Sequence, residues 1–160
     1  MNEYRVRNVL ESDNALLRKL AHDCPPLDLH TQYTYWVQSK FFADTCFILM
    51  HEEEPVGFIT AIYNETNIFI WQIGILSAHQ GNGLSAMLID NVFKAALQKR
   101  FCSLSLSIAE DNIPSYKSFE SYCNNNGFDL NRVEVLEIKD ELDPDFLEAE
   151  ILYTVQLKQA

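Results

Sequence analysis

The segment Gln80-Gly81-Asn82-Gly83-Leu84-Ser85 constrains this chain most, because it stands where an apolar strand gives way to a helix. Upstream, Ile68-Phe69-Ile70-Trp71-Gln72-Ile73-Gly74-Ile75-Leu76 reads as a buried strand. Downstream, Leu84, Met87, Leu88, Val92 and Ala96 recur at helical spacing. A glycine-bearing turn at such a junction leaves several backbone N–H groups unpaired and convergent. With the partial positive charge of a helix N-terminus behind them, they make a seat for phosphate or pyrophosphate. No Gly-Lys-Ser/Thr follows, so this is not a Walker loop. A dinucleotide fingerprint also fails, for want of a third glycine and a downstream acid.

The rest of the composition narrows the setting. A hydrophobic share of 48% over 160 residues fits a single folded domain, residues 1–160. No apolar run is long enough for a transmembrane helix. The start, Met1-Asn2-Glu3-Tyr4-Arg5-Val6-Arg7, enters a strand pattern without a basic head and apolar middle, so the expected location is cytoplasmic. Cys24, Cys46, Cys102 and Cys123 form no CxxC pair and are expected as reduced thiols. His22, His30, His51 and His79 form no HExxH or Cys/His cluster, and no metal is expected. The formal net charge is −11, with eight acids between Glu134 and Glu150. Such a field disfavours nucleic acid and anionic membranes as partners and favours small cations, although it also suits a solvated face.

Periodicity predicts a strand over Tyr4–Val9 and a helix, capped by Ser12 or Asp13, presenting Leu16, Leu17, Leu20 and Ala21. Pro25-Pro26 ends that helix, and a second short one is expected within Asp28–Val37. Further strands are expected over Thr45–His51, Val56–Tyr63, Cys102–Ile108, Phe128–Ile138 and Ile151–Leu157. A last helix runs from a cap at Asp111 or Asn112 to the Asn-rich stop before Gly127. The fold class is therefore α/β, with a central mixed sheet flanked by helices.

The strand–Q-x-x-G-x-[GA]–helix pattern resembles the acyl-CoA signature of the GNAT acetyltransferase superfamily. Asn112-x-x-Ser115-x-x-x-Phe119, followed by Gly127-Phe128, resembles that superfamily's second cofactor segment. Pro26-Leu27-Asp28-Leu29, Phe42-Ala43-Asp44-Thr45-Cys46, Val56-Gly57-Phe58-Ile59 and Trp71-Gln72-Ile73 are similar to words of the diaminobutyrate acetyltransferases of ectoine biosynthesis. The similarity runs over roughly residues 4–157 and thins after Gly127. Three positions depart from it: Gln80 stands where arginine is usual, Ser85 where glycine or alanine is, and Leu147-Glu148-Ala149-Glu150 where His-Glu-Pro-Glu is common.

The resemblance implies a GNAT fold with a mostly antiparallel sheet. It implies acetyl transfer from acetyl-CoA to the 4-amino group of L-2,4-diaminobutyrate by direct amine attack, in a homodimer. Acetyl-CoA would be held by Gln80, Gly81, Asn82, Gly83, Leu84, Ser85, Asn112, Ser115 and Phe119, with main-chain pairing along Ile73, Gly74 and Ile75. Glu150 would accept the amine's proton; read alone, it also fits a surface acid starting the last strand. Asp28 and Glu148 would hold ammonium groups, with Trp71 and Tyr33 as aromatic walls. Each also has a plainer reading: a turn cap for Asp28, packing for Trp71 and Tyr33. The position of the superfamily's tyrosine acid holds Phe119, with Tyr116 and Tyr122 nearby. Two other readings stay open: acetylation of a different small cationic amine, and a non-catalytic acyl-CoA sensor.

Overall fold

The computed structural model describes residues 3–157. Its strands are β1 (Tyr4–Asn8), β2 (Phe47–His51), β3 (Glu54–Tyr63), β4 (Asn67–Ile75), β5 (Ser103–Ala109), β6 (Asn131–Asp140) and β7 (Asp143–Gln156). The helices are α1 (Asn14–His22), α2 (Gln32–Phe41), α3 (Leu84–Gln98) and α4 (Ile113–Asn126). The described strands form one seven-stranded sheet in the order β1-β2-β3-β4-β5-β7-β6. Every neighbouring pair is antiparallel except β4 and β5, which are parallel and joined through α3.

Helices cover both faces of the sheet. Leu84, Leu88, Ile89, Val92, Phe93 and Ala96 of α3 pack with Ile68, Ile70, Leu104, Leu106, Phe119 and Tyr153 in the larger core. Each such Leu, Ile, Val or Phe side chain, taken fully out of water, stabilises the fold by about 1.5–3 kcal/mol. On the opposite face, Leu17, Leu20 and Tyr35 pack with Ile48 and Phe58. Between the faces, β5 alternates: Leu104, Leu106 and Ile108 are buried, whereas Ser103, Ser105 and Ser107 lie on the α1–α2 side.

Two differences from the sequence expectation bear on the candidate site. Helix α2 starts at Gln32, because the Thr31 hydroxyl takes the cap and accepts the Thr34 N–H at 3.4 Å. Asp28–His30 are left as an extended loop. Strand β7 begins at Asp143, well before Ile151, so Glu148 and Glu150 lie inside a strand and do not start one. The acid-rich half of β7 pairs with β6 as an exposed hairpin, and neither strand there shows the alternation that marks a buried face.

Candidate active site

The parallel pair at the centre of the sheet comes apart. β4 and β5 pair from Asn67↔Ser103 to Ile70↔Leu106 and no further, so Trp71–Ile75 run on alone beside the end of β5. The separation begins at a bulge: Thr60 of β3 faces Gln72 and Ala61 faces Ile70, leaving Trp71 as the extra residue. Beyond the bulge, Leu76 N–H donates to Val56 C=O at 2.8 Å. Antiparallel alternation from that bond turns the main chain of Gly74 toward β3 and that of Ile73 and Ile75 toward the gap. The expectation for Gly74 is thereby corrected. A Cβ there would meet Leu27 Cδ1 at 2.8 Å and Phe58 Cε1 at 2.9 Å, so this glycine admits the α1–α2 loop onto the sheet.

The gap leads to the glycine loop. Gly81 and Gly83 have φ of +85° and +68°, left-handed conformations that favour glycine. Gly83 is the N-cap of α3, no side chain caps that helix, and its first turn carries no acid. The first-turn N–H groups therefore remain available to an anion. Asn82 Nδ2 donates to the His79 carbonyl at 3.1 Å, and the Tyr4 hydroxyl bonds His79 Nδ1 at 2.8 Å, which anchors the turn. Gln80 Nε2 donates to the Ile75 carbonyl at 2.9 Å, so its amide meets the strand in place of the loop. Leu84 is buried and pins the helix start, while Ser85 Oγ lies 3.4 Å from Ser118 Oγ of α4. Beside the loop, a groove of about 590 Å³ runs between α3 and α4, lined by Gly83, Ser85, Lys117 and Ser118 among others.

Acids gather beyond the gap. Ala109, the last residue of β5, pairs with Glu150 of β7. Ile151, Tyr153 and Val155 face the α3–α4 core, so alternation directs Glu148 and Glu150 to the α1–α2 face. Asp28 lies there, on the α1–α2 loop. Burial first, then the charges of Glu148, Asp28 and Asp111, raise the Glu150 carboxyl above the usual carboxylate range. Glu150 Oε2 is buried and has no hydrogen-bond partner. A carboxylate held so is short of a cation or a donor. The Trp71 ring lies 5.4 Å from that of His30, on the loop that also carries Asp28.

The glycine loop thus follows the strand that parts from β5, and the acids gather at the end of β5. A family model described as Acetyltransferase (GNAT) family matches residues 14–124. The chain belongs to the GNAT acetyltransferase family. Within the family, similarity runs to L-2,4-diaminobutyric acid acetyltransferases. That of Streptomyces coelicolor (strain ATCC BAA-471 / A3(2) / M145) is 30% identical over 149 residues, covering 90% of this chain and 87% of the relative. That of Vibrio parahaemolyticus serotype O3:K6 is 29% identical over 153 residues, covering 92% and 82%. Among solved structures, a diaminobutyrate acetyltransferase from Paenibacillus lautus, in complex with L-2,4-diaminobutyric acid and coenzyme A, aligns with a TM-score of 0.83. It is 26% identical and covers 98% of this chain and 96% of that one.

The remaining sequence candidates in this GNAT chain take plainer positions. Asn112 caps α4, its Oδ1 accepting the Ser115 N–H at 3.3 Å. Phe119, expected at the cofactor, is 2% exposed and packs in the larger core. Tyr33 is 71% exposed and stacks on Trp36 at 5.7 Å. Tyr122 donates to Asp90 at 2.8 Å inside the α3–α4 contact, and Tyr116 to Glu120 at 2.6 Å, so both hydroxyls are engaged. Two contributors escaped the sequence reading. Asp111 joins the charges around Glu150. Gln72, 5% exposed, bonds the loop that carries Asp28. The only signal for Gln72 was a polar residue inside an apolar run.

The loop of this GNAT chain offers backbone donors without a side-chain cation at position 80. Gln80→Arg is expected to tighten acetyl-CoA about three- to tenfold at low salt, with the gain shrinking as salt rises. Titration calorimetry at two ionic strengths checks it; an unchanged affinity at both places residue 80 away from the phosphates.

Proposed function

We propose that this enzyme transfers acetyl from acetyl-CoA to the 4-amino group of L-2,4-diaminobutyrate, the acetylation step of ectoine biosynthesis. The observation that carries the reading is Glu150, whose buried, unpartnered oxygen stands among Asp28, Asp111 and Glu148 beside the gap between β4 and β5. The loop from Gln80 to Ser85 and the start of α3 hold the pyrophosphate. Main-chain groups of Ile73 and Ile75 pair with the pantetheine arm, which thereby takes the place of a strand in the gap. On this reading the thioester comes to rest near the bulge, on the side that faces the acids.

An alkylammonium has a pKa of about 10.4, so at neutral pH the amine must lose a proton before it can attack. Glu150 receives that proton, directly or through a water. A carboxylate with a raised pKa is a better base than an ordinary one, because the proton-transfer gap to the amine is smaller. Asp28 and Glu148 bind the substrate's ammonium groups by charge-assisted hydrogen bonds, and Trp71 walls the chain between them. The free amine adds to the thioester carbonyl and a main-chain N–H near the bulge steadies the oxyanion; as the C–S bond breaks, the extra proton on the attacking nitrogen passes to the departing thiolate, leaving the amide and CoA–SH. Neither engaged tyrosine hydroxyl is assigned a part in that departure.

Leu147-Glu148-Ala149-Glu150, which lacks a histidine and a proline, favours a second reading in which the acceptor is another small cationic diamine. Initial rates of CoA release with diaminobutyrate, ornithine, lysine and putrescine separate the two. The first reading predicts the highest kcat/KM for diaminobutyrate. A higher value for any of the others supports the second reading, and tight acetyl-CoA binding with no release on any amine supports a sensor.

We infer a homodimer and a cytoplasmic setting. Val133, Val135, Ile138 and Leu142 leave the β6–β7 hairpin with exposed apolar surface, which supports association. Among the described residues, no helix is long and apolar enough to cross a membrane. Light scattering on the purified protein tests the dimer.

A further inference from the structure

We propose that Gln72 and Tyr35 are positioning residues that set the loop carrying Asp28, so that its carboxylate meets the acceptor's ammonium in a single orientation. This rests on the reading of Asp28 given above.

Buried positions favour apolar residues, yet Gln72 of β4 is 5% exposed and Tyr35 of α2 is 0% exposed. Burying such groups unpaired costs about 1–3 kcal/mol each. Here each finds a partner. The Tyr35 hydroxyl donates to Gln72 Oε1 at 3.0 Å, and Gln72 Nε2 donates to the Asp28 carbonyl at 2.6 Å. The His30 N–H donates to the Tyr35 oxygen at 3.4 Å, and the Gln72 N–H to Thr60 Oγ1 at 3.2 Å. The bulge at Trp71 turns Gln72 toward α2 and places it under the loop.

The direction of this relay is fixed at both ends. A backbone N–H can only donate and a carbonyl can only accept. With the His30 N–H on the Tyr35 oxygen, the phenolic proton goes to Gln72 Oε1, and the amide nitrogen must face Asp28. The relay therefore grips the main chain at residues 28 and 30, on both sides of Leu29. The loop's further support comes from outside it: Arg18 Nε donates to the His30 carbonyl at 3.2 Å, and the His30 ring lies against Trp71. An apolar residue at 72 would fill the strand as well but would leave the Asp28 carbonyl without its donor. Burial also raises the Tyr35 pKa, which keeps its proton in place as a donor.

The test compares Gln72→Met, Gln72→Glu and Tyr35→Phe with Asp28→Asn in the 160-residue chain. Glutamate keeps the shape of glutamine and turns the donor facing Asp28 into an acceptor. The KM for L-2,4-diaminobutyrate should rise about tenfold in Gln72→Met and Tyr35→Phe and further in Gln72→Glu. The acetyl-CoA Kd by calorimetry should stay within about twofold, because the glycine loop lies elsewhere. Asp28→Asn should raise the same KM, and combining it with Gln72→Met should add little. Melting curves establish the folded fraction, and Tyr35→Phe, which keeps its ring packed, carries the test if Gln72→Met does not fold. A raised KM in Asp28→Asn beside an unchanged one in the relay variants overturns the inference alone. An unchanged KM in Asp28→Asn overturns the assignment of Asp28 and the inference with it. Parallel loss of acetyl-CoA affinity in the relay variants also overturns it, since that would mark a general packing role.

Discussion

Glu150→Gln is expected to lower kcat for diaminobutyrate about 100- to 1,000-fold at neutral pH, with acetyl-CoA affinity unchanged. The amide fills the same space and keeps the strand pairing with Ala109 and Leu136, but it cannot take a proton. The deficit should shrink as pH approaches the amine's own pKa, where free amine no longer needs a base. A deficit constant with pH would take Glu150 out of the proton pathway.

The same substitution carries a stability signature of opposite sign. The folded-state pKa of Glu150 is raised by burial and by its acidic neighbours, so the folded chain binds this proton more tightly than the unfolded chain does. Its contribution to stability is therefore most favourable below the unfolded value. It is lost as pH rises through the raised folded value, and above that the ionised group opposes folding. At pH 7–8 the ligand-free Glu150→Gln protein should melt higher than the parent, and the difference should close on acidification. Thermal melts across pH 4–8 decide it. A lower melting temperature at neutral pH would mean that the carboxylate is stabilised by a partner, in conflict with its orphaned oxygen.

Gly83→Val should weaken acetyl-CoA binding about 100-fold or more, equivalent to about 2.7 kcal/mol. The backbone at Gly83 has φ of +68°, and an L-residue held there costs roughly 1–2 kcal/mol. A Cβ built on Gly83 meets no heavy atom within 4 Å, so the protein itself does not resist the added bulk. The new side chain projects instead into the open space at the mouth of α3, where a phosphate must come close to the first-turn N–H groups. The fold should therefore survive with a small loss of stability while the cofactor is excluded. Calorimetric titration with acetyl-CoA, beside a melting curve, separates the two effects. Retained affinity in a folded variant would place the pyrophosphate elsewhere.

The backbone features proposed to hold the cofactor were legible because their determinants are local. Gly81 and Gly83 carry positive φ, Asn112 caps α4, and Gly127 closes that helix with φ of +75°. Each is a backbone demand that only a few residue types meet, so spacing along the chain reveals it. The acceptor half depends on tertiary geometry. Asp28 and Glu150 are far apart in sequence and approach one another beside the gap where β4 parts from β5, and nothing in Trp71-Gln72-Ile73 announces an extra residue in the strand. The acid-rich half of β7 was hidden for another reason. It belongs to a solvent-facing hairpin without apolar alternation, so Glu148 and Glu150 read as acids near a strand start. Phe119 stands where the superfamily has a tyrosine and is buried in the core, where a phenyl ring without a hydroxyl is well placed.

The most direct test of the account is the identity of the product formed from L-2,4-diaminobutyrate and acetyl-CoA. NMR of the reaction mixture distinguishes acetylation at the 4-amino group from acetylation at the 2-amino group. The account predicts stoichiometric CoA release with the acetyl group on the 4-amino nitrogen alone. Acetyl on the 2-amino nitrogen, or no acetylated product, would contradict it.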